Sequence, residues 1–456
     1  MGTKGYETSR GERTVFGVYG IGLNIFFVLV NTFLQQYYLI NAAVPAELVA
    51  VIFFIVKIWD GLNDPMFGVI VDRARLKGGK YLPWMRLSTF TLPLMVCLLF
   101  LVPVNMPVWV KGAWLLLGYM LTDAASTMTE VPYFAITTAM TGNPRERAQI
   151  IGTSRIIGTL PAFVVLFIPS LYAAIGWHLT VAIFAVFSML TMLPGCFMLK
   201  ERYSSRSEGV PELKDILRYL KSNKYLLLFF GSAILYGLAN TSGGVTTLFA
   251  IYNLGGDEQI TPLLIISFIP SILAIVAVKA LINKFDKLHI LLFTHLVTVI
   301  TSALLYVTGW GNFALFAVLV ALRGFSTGAH TALFFLFTPD FVEYGAYKTG
   351  VHAEGAAFSI QSFASKCINA ISSASALLIL GAFGFVEGSA TQSAGVQEGI
   401  WLLFALVPVI GSLMQTGLLL GFYKLRDKQV AIMAQANHGE ISRETAEGLL
   451  HGQARC

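Results

Sequence analysis

Lys57, Asp60, Asn63 and Asp64 recur at helical spacing inside a stretch, Leu48 to Val71, that is otherwise almost wholly apolar. Residues three and four apart share one face of a helix, so these side chains form a single stripe. A carboxylate in hydrocarbon costs roughly 3 kcal/mol on insertion scales. Two on one helix, with a lysine one turn before the first, are poorly explained by packing alone. Hard cations take oxygen ligands, which Asp60, Asn63 and Asp64 supply. Two close carboxylates can also share a proton, and Lys57 is placed to pair with Asp60 when no cation is present. This is the chemistry of a coupling site for sodium or a proton in a membrane transporter. The plain alternative is an ion pair that staples the helix to a neighbour.

A second polar face lies further along. Asp123, Thr127 and Glu130 stand at i, i+4 and i+7 and are followed by Pro132, Tyr133 and Phe134. The Thr127 hydroxyl can complete an oxygen cage with the first stripe. Glu130 can accept hydrogen bonds from substrate hydroxyls, or pair with Arg155. Tyr133 and Phe134 offer rings to the apolar face of a sugar, or simply pack. Arg155 and Lys366 lie deep in apolar segments, and each needs an acid or a polar substrate to neutralise it. Gln361, Ser362 and Lys366 include an i, i+4 pair that can line a cavity. Arg323 precedes Gly324-Phe325-Ser326-Thr327-Gly328, which formally matches a hydrolase elbow. That elbow requires a strand-to-helix turn, whereas this pentad sits inside an apolar run. Small-residue helix packing is the better reading.

Membrane-spanning helices must carry these residues. The chain has 456 residues, of which 56% are hydrophobic and 12% charged. Soluble domains carry about 25% charged residues. Apolar runs long enough to span a bilayer cover approximately 14–40, 46–72, 85–104, 108–140, 150–174, 177–199, 225–253, 260–283, 288–309, 312–339, 353–384 and 399–423. Arg and Lys cluster in alternate loops, so the positive-inside rule places both termini in the cytoplasm. The net charge of +6 follows those loops and does not indicate nucleic acid. Cys97, Cys196, Cys367 and Cys456 are scattered, so no disulfide frame or zinc site is expected. No removable signal peptide is read.

The long polar interruption at 200–224 divides the chain into two sets of six spans, 1–199 and 225–424, followed by a cytoplasmic tail at 425–456. Within the interruption, Leu213, Ile216, Leu217 and Leu220 mark an amphipathic surface helix. The tail is read as a mobile strand with one short helix near Ser442–Leu450. After the second span, Gly68-x-x-x-Asp72-Arg73-x-Arg75 and Gly78-Gly79-Lys80 resemble the signature loop of major-facilitator transporters. A worn copy stands at Asn283-Lys284-Phe285-Asp286-Lys287. The expected fold is an all-α membrane protein with twelve transmembrane helices in two six-helix bundles, the major facilitator fold.

The run Lys57-Ile58-Trp59-Asp60-Gly61-Leu62-Asn63-Asp64-Pro65-Met66-Phe67-Gly68 resembles the second-helix motif of the glycoside–pentoside–hexuronide:cation symporters, the group of melibiose permease. Glu130-Val131-Pro132-Tyr133-Phe134, Arg145-Glu146-Arg147 with Arg155, and Pro339-Asp340-Phe341-Val342-Glu343-Tyr344-Gly345 with Glu354 and Lys366 extend the likeness from about residue 14 to 424. The resemblance implies a cation site at Asp60, Asn63, Asp64 and Thr127. It implies a substrate site at Asn24, Glu130, Phe134, Arg155 and Lys366, to which Gln361 is added. Lys57, Asp72, Arg73, Arg147, Asp340, Glu343 and Glu354 become candidates for charge pairing and gating. Asn24 replaces a sugar-binding aspartate of melibiose permease, which makes an anionic sugar more acceptable. The expected activity is sugar import coupled to sodium or a proton by alternating access, in a bacterial plasma membrane. No enzymatic activity or other cofactor is expected, and a monomer should suffice. A lysolipid or other small-solute transporter of the same fold is the alternative.

Overall fold

The computed structural model describes residues 6–74, 76–103, 105–142, 144–158, 160–203, 221–350, 354–437 and 439–453. The side chains of Asp64, Asp72, Arg73, Arg145, Arg147, Arg155 and Glu354 lie outside that description, as does the expected amphipathic helix around 213–220.

Helices follow the apolar runs, and no strand occurs among the described residues. The first part of the chain forms α1 (Arg10–Gln36), α2 (Ala46–Arg73), α3 (Leu82–Phe100), α4 (Val108–Met140), α5 (Pro144–Ile157), α6 (Pro161–Val164), α7 (Ile168–Ile175) and α8 (Trp177–Met198). The second part forms α9 (Lys224–Tyr236), α10 (Thr241–Tyr252), α11 (Ile260–Leu281), α12 (Lys287–Thr308), α13 (Phe313–Leu336), α14 (Thr338–Thr349), α15 (Glu354–Ala382), α16 (Ala394–Trp401) and α17 (Val407–Phe422), with α18 (Asp427–Asn437) and α19 (Arg443–Gln453) beyond. Short π segments at Tyr37–Asn41 and Leu402–Leu406 prolong α1 and join α16 to α17.

Among the described residues, nine helices are long and apolar enough to cross a membrane. Their burial pattern suits a bilayer. Trp109, Phe197, Val307 and Phe422 are exposed, while Thr127, His295, Arg323 and Gln415 are buried. α2 and α4 fall outside the nine, and both carry the polar residues of the candidate site. The fifth apolar run is broken, because Pro161 has no N–H to donate and disfavours helical backbone in the residue before it.

Local chemistry sets several ends. Ser9 and Glu12 form a reciprocal capping box at the start of α1, and Glu12 also takes two bonds from Arg202 at 2.8 and 2.9 Å. The Glu201 carboxylate accepts the N–H groups of Lys80, Tyr81 and Leu82 at 2.7–2.8 Å, satisfying free donors at the start of α3. Gly79 permits this approach. Its φ is +124°, and a Cβ there would meet Glu201 at 2.6 Å.

The chain forms two compact units. One comprises Met1–Ser207, Thr247–Thr261 and Leu377–Gln397, and the other Glu208–Thr246, Pro262–Ala376 and Glu398–Cys456. In the first, α1 packs on α8 and α5, α3 on α4 and α8, and α2 on α4. The two later segments join it through specific bonds. Ala46 N–H donates to Glu387 at 2.8 Å, Gly388 N–H to the Leu39 carbonyl at 3.0 Å, and Thr261 Oγ1 to the Leu166 carbonyl at 2.9 Å. In the second unit, α12 packs on α13 and α17, and α9 on α17.

The tail corrects the expectation of a mobile strand. It forms two helices, and α18 packs on α14. Asn437 donates to the carbonyl and carboxylate of Glu343 at 2.9 and 2.8 Å. Asp427 accepts Lys287 N–H at 2.9 Å, while Val430 and Met433 are buried against the core.

Candidate cation and substrate site

The first unit brings the two polar faces together. α2 presents Asp60 and Asn63 inward, with relative exposures of 9% and 6%, and α4 meets them with Thr127 at 3%. Asn63 Nδ2 donates to Thr127 Oγ1 at 2.9 Å. With Nδ2 engaged, Oδ1 is the Asn63 atom suited to a cation. Lys57 Nζ stands 3.9 Å from Asp60 Oδ2 and 5.6 Å from the centre of the Tyr119 ring. Asp123 is also near enough to act electrostatically on Lys57. The result is a carboxylate, an amide oxygen and a hydroxyl on two packed helices, with one ammonium beside them. Hard monovalent cations suit such oxygen donors, and a proton suits the carboxylate. Tyr119 was not foreseen, although its position one turn before Asp123 places it on the same face.

The neighbouring aromatics separate by environment. Tyr133 is core. Its ring stacks on Phe16 at 4.4 Å and Tyr19 at 5.4 Å, and its hydroxyl donates to the Phe16 carbonyl at 3.0 Å and lies 2.6 Å from Ser154 Oγ. Gly20 leaves room for that hydroxyl, since a Cβ there would meet it at 2.5 Å. Phe134 and Glu130 stay exposed on the same helix. Asn24 is partly exposed, and its Nδ2 donates back to the Gly20 carbonyl at 2.7 Å, so Oδ1 is the Asn24 atom able to accept from a substrate hydroxyl. Arg155 belongs to α5, but its side chain lies outside the described residues.

The second unit holds the remaining candidates. Gln361 on α15 is buried at 7% and accepts a hydrogen bond from the Thr338 hydroxyl at the start of α14. Lys366, farther along α15, is half-buried. Asp340 pairs with Lys287 through bonds to both carboxylate oxygens, at 2.5 and 2.6 Å. Glu343 is held by Asn437. Asp340 and Glu343 therefore already have partners inside their own unit.

At one end of the first unit, Glu146 fastens the N-terminal segment. It accepts the N–H groups of Glu7 and Thr8 at 3.0 Å each, the Thr141 hydroxyl at 2.8 Å, and the Thr8 hydroxyl. Burial alone would raise its pKa, but these bonds outweigh that effect and lower it to about 2. Glu146 therefore stays ionised and acts as an anchor.

A sequence profile described as MFS/sugar transport protein matches residues 15–427. The chain belongs to this family. An isoprimeverose transporter of Lactiplantibacillus pentosus is 27% identical over 91% of this chain and 88% of its own length. A glucuronide carrier protein homolog of Escherichia coli strain K12 is 26% identical over 91% of this chain and 93% of its own. A crystal structure of the nucleoside transporter NupG superposes with a TM-score of 0.66 at 16% identity, covering 91% of this chain and all of that one. That likeness is one of fold. The membership bears out the resemblance read from the second-helix motif and the expected major-facilitator architecture.

Proposed function

We propose that this MFS/sugar transport family member imports a glycoside or related sugar by secondary active symport. The coupling cation, sodium or a proton, is held at Asp60, Asn63, Asp64 and Thr127. The observation that carries this reading is the junction of α2 and α4. There Asn63 meets Thr127 directly beside the buried Lys57–Asp60 pair. Without cation, Lys57 partly neutralises Asp60. With cation, the oxygens of both helices converge on one charge, which fixes α4 and with it Glu130 and Phe134. A ligand shifts a conformational equilibrium only by its differential affinity for the two states. Cation and sugar together supply that difference, and either alone supplies less.

The candidate substrate residues have one acid, Glu130, against two cations, Arg155 and Lys366, because position 24 is an asparagine. That balance favours an anionic sugar such as a uronide over a neutral glycoside. The names of the isoprimeverose and glucuronide relatives fit a sugar cargo. The test is uptake of labelled glucuronide and of a neutral glycoside into proteoliposomes, with sodium and pH gradients imposed separately. Accumulation above the external concentration under one of these gradients is expected. Equilibration alone, unchanged by either gradient, contradicts the reading.

A further inference from the structure

α13 has two faces with different tasks. Gly324 and Gly328 lie against α11, where a Cβ at either position would strike the carbonyls of Ser267 and Ser271. This is the small-residue packing expected of the Gly-rich pentad. The other face carries Arg323, Ser326 and His330, all buried, and builds a polar seam with α12 and α17. His330 Nδ1 lies 3.1 Å from His295 Nε2 on α12, and His295 Nδ1 lies 2.9 Å from Thr416 Oγ1 on α17. Tyr236 caps this rung, its ring centre 3.7 Å from that of His330. One turn along, Ser326 Oγ lies 2.7 Å from Thr298 Oγ1. At the far end Arg323 donates to the Phe404 carbonyl at 2.5 Å and covers the Phe404 ring at 4.3 Å.

These bonds fix the helix directions. Positions 330 and 326 match 295 and 298, so α12 and α13 are antiparallel. Positions 323 and 330 match 404 and 416, so α13 runs with α17. Moving from His295 to Ser302 along α12 is therefore the same direction as moving from Thr416 to Ser412 along α17. Ser302 lies seven residues along α12 from His295, as Arg323 lies seven along α13 from His330, while Ser412 and Gln415 lie within about one turn of Thr416 on α17 and share a face. Ser302, Ser412 and Gln415 are fully buried. The hydroxyls of Ser302 and Ser412, and both amide atoms of Gln415, have no hydrogen-bond partner among the described residues. Arg323 has further N–H donors beyond the one given to Phe404, and among the described residues no carboxylate is in ion-pair contact with it.

We propose that this seam binds internal water along its length, at Gln415 and Ser412 near the histidine rung and at Ser302 near the level of Arg323. The donor and acceptor balance selects the ligand. Gln415 needs an acceptor for Nε2 and a donor for Oε1, and each serine needs a partner of its own. A small anion could take a bond from Gln415 Nε2 but would leave Gln415 Oε1 without a donor. Water serves both roles and is the usual occupant of buried polar clusters. Hydration of the seam lets the second unit keep a charged arginine and a histidine pair in its core with no carboxylate paired to them among the described residues. The inference is independent of the transport reading.

The probe is water itself. The full-length protein in lipid nanodiscs is exposed to X-ray radiolysis, with and without prior transfer into 18O-water, and oxidation is read by mass spectrometry. His295, His330 and Tyr236 should be labelled at least about fivefold more than the equally buried Phe229 and Phe230, as bound water would dictate. Their label should acquire 18O more slowly than that of exposed residues. Gln415→Leu, or Ser302→Ala with Ser412→Ala if the former does not fold, should cut this labelling by about half or more. Labelling of the histidines no higher than that of Phe229 overturns the proposal. So does labelling that the variants leave unchanged.

Discussion

Asn63 on α2 and Thr127 on α4 are joined by a 2.9 Å hydrogen bond, although 64 residues separate them in the chain. The bond commits the amide nitrogen and leaves Oδ1 as the amide atom suited to a cation. A shared cation site on two helices requires this arrangement. Thr127→Ala should therefore weaken the apparent affinity for the coupling cation by about tenfold, or about 1.4 kcal/mol. Thr127→Ser should restore it, because the hydroxyl returns. Half-saturation of uptake against cation concentration, at fixed sugar, checks this. Equal loss in both variants would assign Thr127 to packing.

Tyr133 and Phe134 should separate stability from transport. Tyr133→Phe removes a hydroxyl bonded to Phe16 and Ser154 and should cost about 1 kcal/mol of stability. Phe134→Ala should leave thermal unfolding in detergent almost unchanged, because the ring is already 36% exposed, while reducing sugar uptake severalfold. Unfolding and uptake measured on both variants give the contrast.

That contrast marks where sequence reading ends. The stripe of Asp60, Asn63 and Asp64 is legible because it follows helical period and its chemistry is costly in hydrocarbon. The division between adjacent Tyr133 and Phe134 is not, because it depends on which ring α1 covers. The Arg323 seam is equally hidden. Its partners come from helices that are distant in sequence, and only packing reveals them. The tail reads as solvated because α18 and α19 are polar in composition. What anchors α18 is Asn437 on Glu343 and Asp427 on Lys287, bonds that no local pattern announces.

Glu146 gives a pH signature. Its carboxyl has a pKa of about 2 in the folded protein, against an ordinary value of 4.5. A lowered folded pKa adds stability that is fully present above the unfolded value and is lost as pH falls through the folded one. Glu146→Gln should therefore lower the unfolding temperature at neutral pH, and the gap to wild type should narrow from about pH 4.5 towards pH 2. A gap constant across that window would show that the carboxylate charge contributes nothing.

The tail should stabilise the second unit. Asn437→Ala removes two bonds to Glu343 and should cost about 1–2 kcal/mol. Asp427→Ala frees the Lys287 N–H and should act in the same direction. Proteolysis in the 424–443 region should quicken in both variants, read by mass spectrometry of timed digests. Unchanged cleavage would mean that the tail is held elsewhere.

The central claim is that the helix 2 carboxylates capture the coupling cation. Asp60→Asn keeps size and removes charge, and its effect on gradient-driven accumulation in proteoliposomes is the direct test. The account predicts that accumulation under both sodium and pH gradients disappears while the variant inserts and still binds sugar. Accumulation at the wild-type level under either gradient would contradict it.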